Sequence, residues 1–246
     1  MNKVLLAGAT GYLGGFILKE LLEKQFDVTI VVRNKKNAPV LPGVKIITGE
    51  LTDPKTIENC CEGIDVVIST VGITKQKDGF TYMDVDYGAN LNLLEESKRS
   101  GVNKFVYVSV LRMEELRHLK ICEAKEKFVD ALTNSGLDYC VVRPNGYFSD
   151  MEEFYKMAVK GRVFLFGDGE CKINPIHGAD LAEICRSAIQ ATDKEITVGG
   201  PEILTYNQIA QIASGVSGNK IKITHIPNWA ERSILSLLRN FTGSKL

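Results

Sequence analysis

The sequence lacks an excess of charge of one sign, and this absence bears on its partners. Its 30 lysine and arginine residues are balanced by 30 aspartate and glutamate residues. Binding to nucleic acid usually needs a basic surface that neutralises phosphates, so a nucleic-acid partner is not expected. The short basic cluster at residues 33–36 is interpreted, on composition alone, as a solvated face.

Paired cysteine motifs are also absent, although the chain has six cysteines. No two of them have the C-x-x-C spacing typical of zinc and redox sites, and no metal site is expected. Cys60 and Cys61 are adjacent and are not expected to form a disulfide with each other. Reduced and mostly buried thiols are therefore predicted, in the reducing environment of the cytoplasm.

Long apolar runs are missing as well. No stretch approaches the roughly 18–20 apolar residues that cross a bilayer, so no membrane span is expected. The chain enters a strand-like pattern within its first residues, and no signal peptide is expected. What remains is the composition of a globular protein, with 44% hydrophobic and 24% charged residues.

Short apolar runs alternate with amphipathic helical patterns through the first 150 residues. The runs are rich in valine and isoleucine and lack polar alternation, which is typical of strands covered on both faces. This alternation predicts an α/β fold, a Rossmann-type doubly wound parallel sheet. Strands are predicted at 3–8, 27–33, 44–50, 64–70, 103–110 and 137–144, and helices at 11–24, 54–63, 82–101 and 122–136.

The alternation loosens in the remaining part of the chain. A smaller substrate-side lobe is predicted over 151–246, packed on the core domain 1–150 and not independent of it. An amphipathic stretch at 228–241 is a candidate surface for a protein partner or for dimerisation. Within this lobe, helices are predicted at 151–161, 178–191 and 205–218, the last capped by Thr205, and strands at 195–200 and 220–226.

Three glycines follow the first predicted strand, in the sequence GATGYLG, residues 8–14. Glycines here allow a tight turn, close approach of the backbone to a ligand and close packing of helix against strand. The helix that follows directs backbone N–H groups and the positive end of its dipole at a phosphate. Binding of a dinucleotide pyrophosphate is therefore predicted, with a simple turn as the alternative. The residues assigned to it are Gly8, Thr10, Gly11, Tyr12, Leu13 and Gly14.

The second predicted strand ends in VVRN and lacks the acidic residue with which many NAD enzymes hold the adenosine ribose. Arg33 occupies that place, and Lys35 and Lys36 follow it. A guanidinium can pair with the 2′-phosphate of NADP through its planar fork, whereas an acid would repel that phosphate. The predicted cofactor is therefore NADP(H), bound as NADPH in its reduced form, and a solvated basic loop is the alternative.

These features resemble the atypical short-chain dehydrogenase/reductase superfamily, in particular its NmrA-like NAD(P)-binding branch. The likeness extends over nearly the whole chain. Beside GATGYLG it is carried by GELTDP (49–54), STVG (69–72), FVYVSV (105–110) and SGLDYCVVRPNGYFSDM (135–151). The resemblance implies cofactor contacts near the adenine from Leu51 and Thr52, and contacts near a ribose from Thr70, Val71 and Gly72.

The resemblance also implies a catalytic serine and a Tyr-x-x-x-Lys pair, in which the lysine lowers the pKa of the tyrosine and holds the nicotinamide ribose. Lys125 takes the lysine position, but Ile121 stands four residues earlier, where the tyrosine is expected. Ser109 takes the serine position unless a shift of one residue places Val110 there. The alternatives are a solvated lysine and a serine that only hydrogen-bonds to the cofactor. Candidates to replace the tyrosine are Tyr87, Tyr107 and Tyr147.

The segment RPNGYF (143–148) follows the sixth predicted strand, at the end of the sheet where ligands of such folds bind. Asn145 is predicted to contact the nicotinamide and, with Tyr147 and Phe148, to border the substrate; a turn that ends a core strand is the alternative. His118 is interpreted as a surface residue. His177 is interpreted as part of a structural segment that also contains Asp180.

Two functions remain open on the sequence. The first is an NADP(H)-dependent oxidoreductase that transfers hydride to or from a small organic substrate, with Lys125 and Ser109 as its catalytic candidates. The second is a non-catalytic NADP(H)-binding sensor, regulator or assembly factor that responds to a small-molecule effector or a protein partner. Ile121 in place of the tyrosine favours the second function, and the glycine loop supports both.

Overall fold

The computed structural model describes residues 3–39, 41–74, 76, 79–227 and 229–230. The chain divides into two compact units, Met1–Pro144 with Gly178–Val198 and Asn145–His177 with Gly199–Leu246. This division differs from the contiguous boundary predicted at residue 150, because the segment Gly178–Val198 returns to the first unit. That the smaller lobe depends on the core for its folding stays a prediction.

The strands of the chain fall close to the predicted runs in the first unit. They are β1 (Lys3–Ala7), β2 (Asp27–Val32), β3 (Val44–Thr48), β4 (Val66–Ser69), β5 (Lys104–Val108), β6 (Asp138–Pro144), β7 (Arg162–Phe166), β8 (Lys172–Ile173), β9 (Glu195–Val198), β10 (Leu204–Thr205) and β11 (Lys222–Ile226). In the first unit a parallel sheet has the order β3-β2-β1-β4-β5-β6-β9. The Rossmann-type α/β prediction is confirmed.

The last strand of this sheet corrects one assignment. The sequence predicts that the run 195–200 belongs to the C-terminal lobe, but β9 pairs with β6 in parallel, with Ile196 opposite Val142. Local pattern gives no information on which distant strand a short run joins, because pairing depends on contacts across more than 50 residues.

The helices are α1 (Tyr12–Glu23), α2 (Asn90–Arg99), α3 (Lys120–Thr133), α4 (Glu152–Val159), α5 (Gly178–Ser187) and α6 (Tyr206–Ser217). The helix predicted at 54–63 is reduced to a 3₁₀ turn at Pro54–Ile57, and Asn59 then takes a left-handed φ of 65° that ends it. The helix predicted at 82–101 begins as a π-helix at Met83–Ala89 and continues as α2.

The helices of the first unit bury the sheet on both sides. On one side α2 and α3 pack on a cluster that includes Phe105, Tyr107 and Phe128. The rings of Tyr107 and Phe128 meet edge to face, with centroids 4.6 Å apart. Elsewhere α1 packs on α5, where Arg186 Nε lies 2.6 Å from Glu20 Oε1.

In the second unit, β7 pairs with β11 in parallel, β8 pairs with β10 antiparallel, and α4 packs on α6. Thr205 caps α6 as predicted, since its side chain accepts the N–H of Gln208. The amphipathic stretch 228–241 lies outside the described residues except for Trp229 and Ala230. Its role as a partner surface stays a prediction.

Two further predictions concern the chain as a whole. All six cysteines are free and five of them are buried, as predicted, with Cys171 exposed. No helix within the described residues is long and apolar enough to cross a membrane. The cytoplasmic location stays a prediction.

Candidate functional site

The glycine loop between β1 and α1 is held in shape by its own backbone. Gly8 takes a φ of 90°, which side-chain-bearing residues rarely adopt, and its carbonyl accepts the N–H of Gly11 at 2.9 Å. A Cβ on Gly14 would lie 2.7 Å from the carbonyl carbon of Gly8, so α1 can pack this closely on the loop only with glycine there. The loop therefore brings the start of α1 against the end of β1.

The first turn of α1 is suited to an anion. Gly11 is the N-cap residue of α1 and has no side chain with which to cap the amides of this turn. The turn also carries no acidic residue. The N–H groups and the positive end of the helix dipole are thus directed at the space above the loop, which favours a phosphate.

That space is a cleft of about 340 Å³ at the carboxyl ends of β1 to β4. Nine of the residues predicted to bind cofactor line it, namely Gly8, Thr10, Gly11, Arg33, Leu51, Thr52, Thr70, Val71 and Gly72. The cleft therefore brings together four loops that are far apart in the sequence. Their roles in binding stay predictions.

Sequence reasoning missed the other residues that line the cleft: Val31, Val32, Gly49, Glu50, Ile73, Phe80, Val85 and Ala89. Some of these residues, such as Glu50 and Ile73, are next to a residue that the sequence motifs did predict, so the same motifs could have indicated them. Phe80, Val85 and Ala89 precede α2 and belong to none of the quoted motifs. Only the three-dimensional path of the chain brings them to the cleft.

Tyr12 and Leu13 are in the glycine loop region but do not line this cleft. Tyr12 is exposed and its ring meets that of Phe16, while Leu13 is one of the buried residues of α1. Gly14 packs directly on the backbone of Gly8 and does not line the cleft. Cofactor contact by these three residues stays a prediction.

Arg33 and Glu50 face each other at one end of the cleft. Arg33 Nε lies 3.9 Å from Glu50 Oε2, and the arginine side chain is 72% exposed. An ion pair this long and this exposed contributes little stability, because solvent screens it. The guanidinium can therefore exchange this partner for a phosphate at little cost, but the carboxylate of Glu50 remains nearby and opposes a second negative charge.

Lys125 lies beyond the other end of the cleft, on α3. Its Nζ is 2.8 Å from Oδ1 of Asp86, and the exposed fractions of the two side chains are 12% and 0%. The second oxygen of Asp86 accepts the N–H of Ile73, a residue of the cleft wall, at 3.2 Å. Lys125 is thus a nearly buried, paired lysine, and the alternative of a solvated lysine is wrong.

Ile121 stands at the position expected for the tyrosine. The tyrosines that are candidates to replace it differ in how far a substrate could reach their hydroxyl groups. Tyr107 is 0% exposed. Burial raises the pKa of its hydroxyl, although the nearby ammonium of Lys125 partly opposes that shift. A fully buried phenol of raised pKa does not meet a substrate. Tyr87 is half-buried, with the ammonium of Lys127 4.4 Å from its ring centroid.

Ser109 follows β5 and belongs to a buried polar network. Its hydroxyl donates to Glu126 Oε1 at 3.2 Å, and Arg143 Nη1 lies 3.4 Å from the same hydroxyl. Arg143 also bonds Glu126 through both terminal nitrogens, at 2.7 and 3.0 Å. Burial acts to lower the pKa of Arg143, but hydrogen bonds to the carboxylates of Glu126 and of Glu195, the latter at 2.8 Å, outweigh it and raise the pKa, so Arg143 stays charged. The catalytic role of Ser109 stays a prediction.

The substrate candidates of the RPNGYF segment lie in the second unit, just after β6. Tyr147 and Asp150 form a capping box around a 3₁₀ turn, Phe148 is exposed, and Asn145 is half-buried. His118 and His177 are both exposed. Among the described residues, no group of three or more His, Cys, Asp or Glu side chains is arranged to hold a metal ion.

Comparison with known proteins agrees with this geometry. A family profile described as NAD(P)H-binding matches residues 8–192. Photosystem II assembly factor Ycf39 of Synechocystis sp. is 26% identical over 248 residues, which cover 98% of this chain and 74% of that protein. The chloroplastic divinyl chlorophyllide a 8-vinyl-reductase of Arabidopsis thaliana is 29% identical over 252 residues, which cover 91% of this chain and 60% of that protein.

A solved structure shows the same fold. The NADPH-dependent quinone oxidoreductase QOR2 of Escherichia coli, in complex with NADPH, superimposes with a TM-score of 0.80 at 19% identity, over 97% of this chain and 82% of that one. The profile covers most of the chain, and the parallel sheet and the glycine loop agree with it. The chain therefore belongs to the NAD(P)H-binding family.

Proposed function

We propose that this protein is an NADP(H)-dependent oxidoreductase that acts on a small organic substrate without the usual catalytic tyrosine. The observation that carries the proposal is the cleft itself, which runs from Arg33 past the glycine loop to Gly72. In the strand order β3-β2-β1-β4-β5, Arg33 after β2 and Gly72 after β4 lie on opposite sides of that loop. A dinucleotide has the same order of parts, with a pyrophosphate between two nucleosides.

The residues present fit such a cofactor. The close packing of Gly14 on Gly8 brings the start of α1 against the loop, and the first turn of α1 suits the pyrophosphate. Arg33 would hold the 2′-phosphate of the adenosine ribose, and Leu51 and Thr52 would border the adenine. These features support NADP(H) as the cofactor, because a guanidinium that is mostly exposed gains a charge-assisted pair with the phosphate.

The chemistry of the reaction would come from the cofactor. When bound, NADPH supplies a hydride to a carbonyl carbon or an activated alkene carbon of the substrate, and is itself oxidised to NADP⁺. Lys125 would hold the hydroxyls of the nicotinamide ribose. Ile121 has no proton to give, so the proton that balances the hydride would come from water or from another polar group.

The test is to incubate the purified protein with NADPH and a panel of carbonyl and enone compounds, and to follow oxidation of the cofactor. Consumption of NADPH that depends on one panel member supports the proposal. Gly11→Val is the control for binding. A Cβ on Gly11 meets one atom, the Gly8 carbonyl oxygen at 3.3 Å, so we expect the variant to fold with its side chain projecting into the cleft.

A second function, a non-catalytic NADP(H)-binding assembly factor, is favoured by two observations. Ile121 replaces the proton-donating tyrosine, and a relative over nearly the whole chain is named a photosystem II assembly factor. In that case NADPH would bind, and no panel member would cause its oxidation. A thermal unfolding temperature that rises with NADPH, in a protein with no turnover across the panel, would favour this function.

A further inference from the structure

Asp86 is a buried charged residue whose carboxylate is paired by the surrounding structure. It lies in the π-helix Met83–Ala89, and none of its side chain is exposed. A buried carboxylate is costly unless it is paired and hydrogen-bonded. Both of its oxygens are engaged toward the end of the cleft, one by Lys125 and the other by the backbone N–H of Ile73.

Gly72 makes this arrangement possible. A Cβ on Gly72 would lie 2.5 Å from Asp86 Oδ1 and 2.8 Å from Lys125 Nζ. Gly72 also lines the cleft. The absence of a side chain at this one position therefore lets the ammonium and its carboxylate partner come directly against the cleft wall.

The π-helix is fixed to the same wall by Asn90. Its side-chain amide donates to the carbonyl of Asp86 at 2.9 Å and to that of Val71 at 3.1 Å, and its own oxygen accepts the hydroxyl of Ser69 at 2.5 Å. Turns of π-helix inside helices are frequent at functional sites. Here the π-helical turn and the loop after β4 are joined by hydrogen bonds, and together they hold the ion pair of Asp86 with Lys125 in place.

We propose that Asp86 is a positioning residue, which fixes the Lys125 ammonium at the end of the cleft opposite Arg33 so that it donates hydrogen bonds to the second nucleoside of the bound dinucleotide. The inference rests on the proposed function. A lysine side chain has four rotatable bonds, and a fixed partner reduces the entropy that binding would otherwise cost. Asp86 thus acts on the cofactor through Lys125.

The test uses Asp86→Asn, which keeps the shape of the side chain and removes its charge. Dissociation constants are measured for NADPH and for adenosine 2′,5′-bisphosphate, which carries only the adenosine half. We expect NADPH to bind about tenfold more weakly, the size of a lost hydrogen bond to a charged group, and the fragment to bind as before. Asp130→Asn is the matched control. Asp130 is a residue of α3 and, like Asp86, forms an ion pair, in its case with Arg117 at 2.7 Å. The control variant should change neither constant.

A double-mutant cycle with Lys125→Met isolates the route of the effect. If Asp86 acts through Lys125, Asp86→Asn causes no further loss of NADPH affinity once Lys125 is methionine. Should Asp86→Asn fail to fold, Asp86→Glu is used instead; it keeps the charge but moves the ammonium, and the same selective loss is expected.

Three results would overturn the inference alone: an NADPH affinity that Asp86→Asn leaves unchanged, equal weakening of NADPH and of the fragment, or an undiminished effect in the Lys125→Met background. An unmodified protein that binds neither ligand would overturn the proposed function, and with it this inference.

Discussion

Gly14 lies directly on the backbone of Gly8 and Ala9, and a Cβ on Gly14 would come within 2.9 Å of the Ala9 Cα. The neighbouring Gly15 is in the same helix, but a Cβ placed on it meets nothing within 4 Å. The two adjacent glycines therefore have different reasons to be glycine. One is required by packing, and the other is only tolerated by the helix.

This difference predicts opposite effects of the same substitution. Gly14→Ala should lower the free energy of unfolding by about 2 kcal/mol through overpacking, and should weaken NADPH binding because the loop must move. Gly15→Ala should raise the free energy of unfolding by up to about 1 kcal/mol, since alanine is the better helix former. Urea unfolding and NADPH titration of both variants check this. Equal effects of the two would contradict the packing assigned to Gly14.

The pair between Arg143 and Glu126 is predicted to be important for stability. Glu126→Gln removes the buried one of the two carboxylates that bond Arg143 and leaves the exposed Glu195, at 2.8 Å; breaking a buried pair costs about 3–5 kcal/mol. Glu115→Gln, which breaks the exposed pair with Arg112, is the matched control and should cost much less, because solvent screens that pair. Denaturant unfolding measures both. Similar losses for the two variants would show that burial of the network is not what stabilises it.

Tyr107 predicts a dependence of stability on alkaline pH. Burial raises the pKa of its hydroxyl in the folded protein, above the value of about 10 for an unfolded chain. The folded state therefore holds this proton more tightly, and stability falls as pH rises from about 10 toward the folded pKa. Tyr107→Phe should lose part of that decline, as measured by urea unfolding from neutral pH to about pH 11. An unchanged decline would mean that other groups cause it.

Glu50 is predicted to limit the preference for NADPH. Its carboxylate lies near Arg33, where it opposes the negative charge of a 2′-phosphate. Glu50→Gln should strengthen NADPH binding a few-fold and leave NADH binding nearly unchanged, the size expected of a solvent-screened charge. Titration of both nucleotides with both proteins measures the effect. Equal weakening of the two nucleotides would instead assign Glu50 to the part of the site they share.

The fold could be predicted from the sequence wherever it depends on local pattern. The strands, the glycine turn and the Thr205 cap each follow from residues that are close together in the chain, and the structure has them at or near the predicted positions. The pairing of β9 with β6 could not be predicted in this way, because nothing in the sequence of a four-residue strand specifies which distant strand it pairs with.

The candidate site divides in the same way. Gly8, Arg33 and Thr70 were found because each follows a recognisable strand. The roles of Asp86 and of Ser109 in their buried networks were not predicted, because their contacts join residues 13 or more positions apart in the chain. A buried carboxylate has the same letter in the sequence as an exposed one, so its role depends on packing that the pattern does not contain.

The central claim is that the cleft binds NADP(H) in preference to NAD(H), through the glycine loop and Arg33. The most direct measurement is a titration of the unmodified protein with NADPH and with NADH, repeated with Arg33→Asp. We predict that NADPH binds at least about tenfold more tightly than NADH, and that Arg33→Asp abolishes or reverses the difference. Equal affinities in the unmodified protein, or no binding of either nucleotide, would contradict the claim.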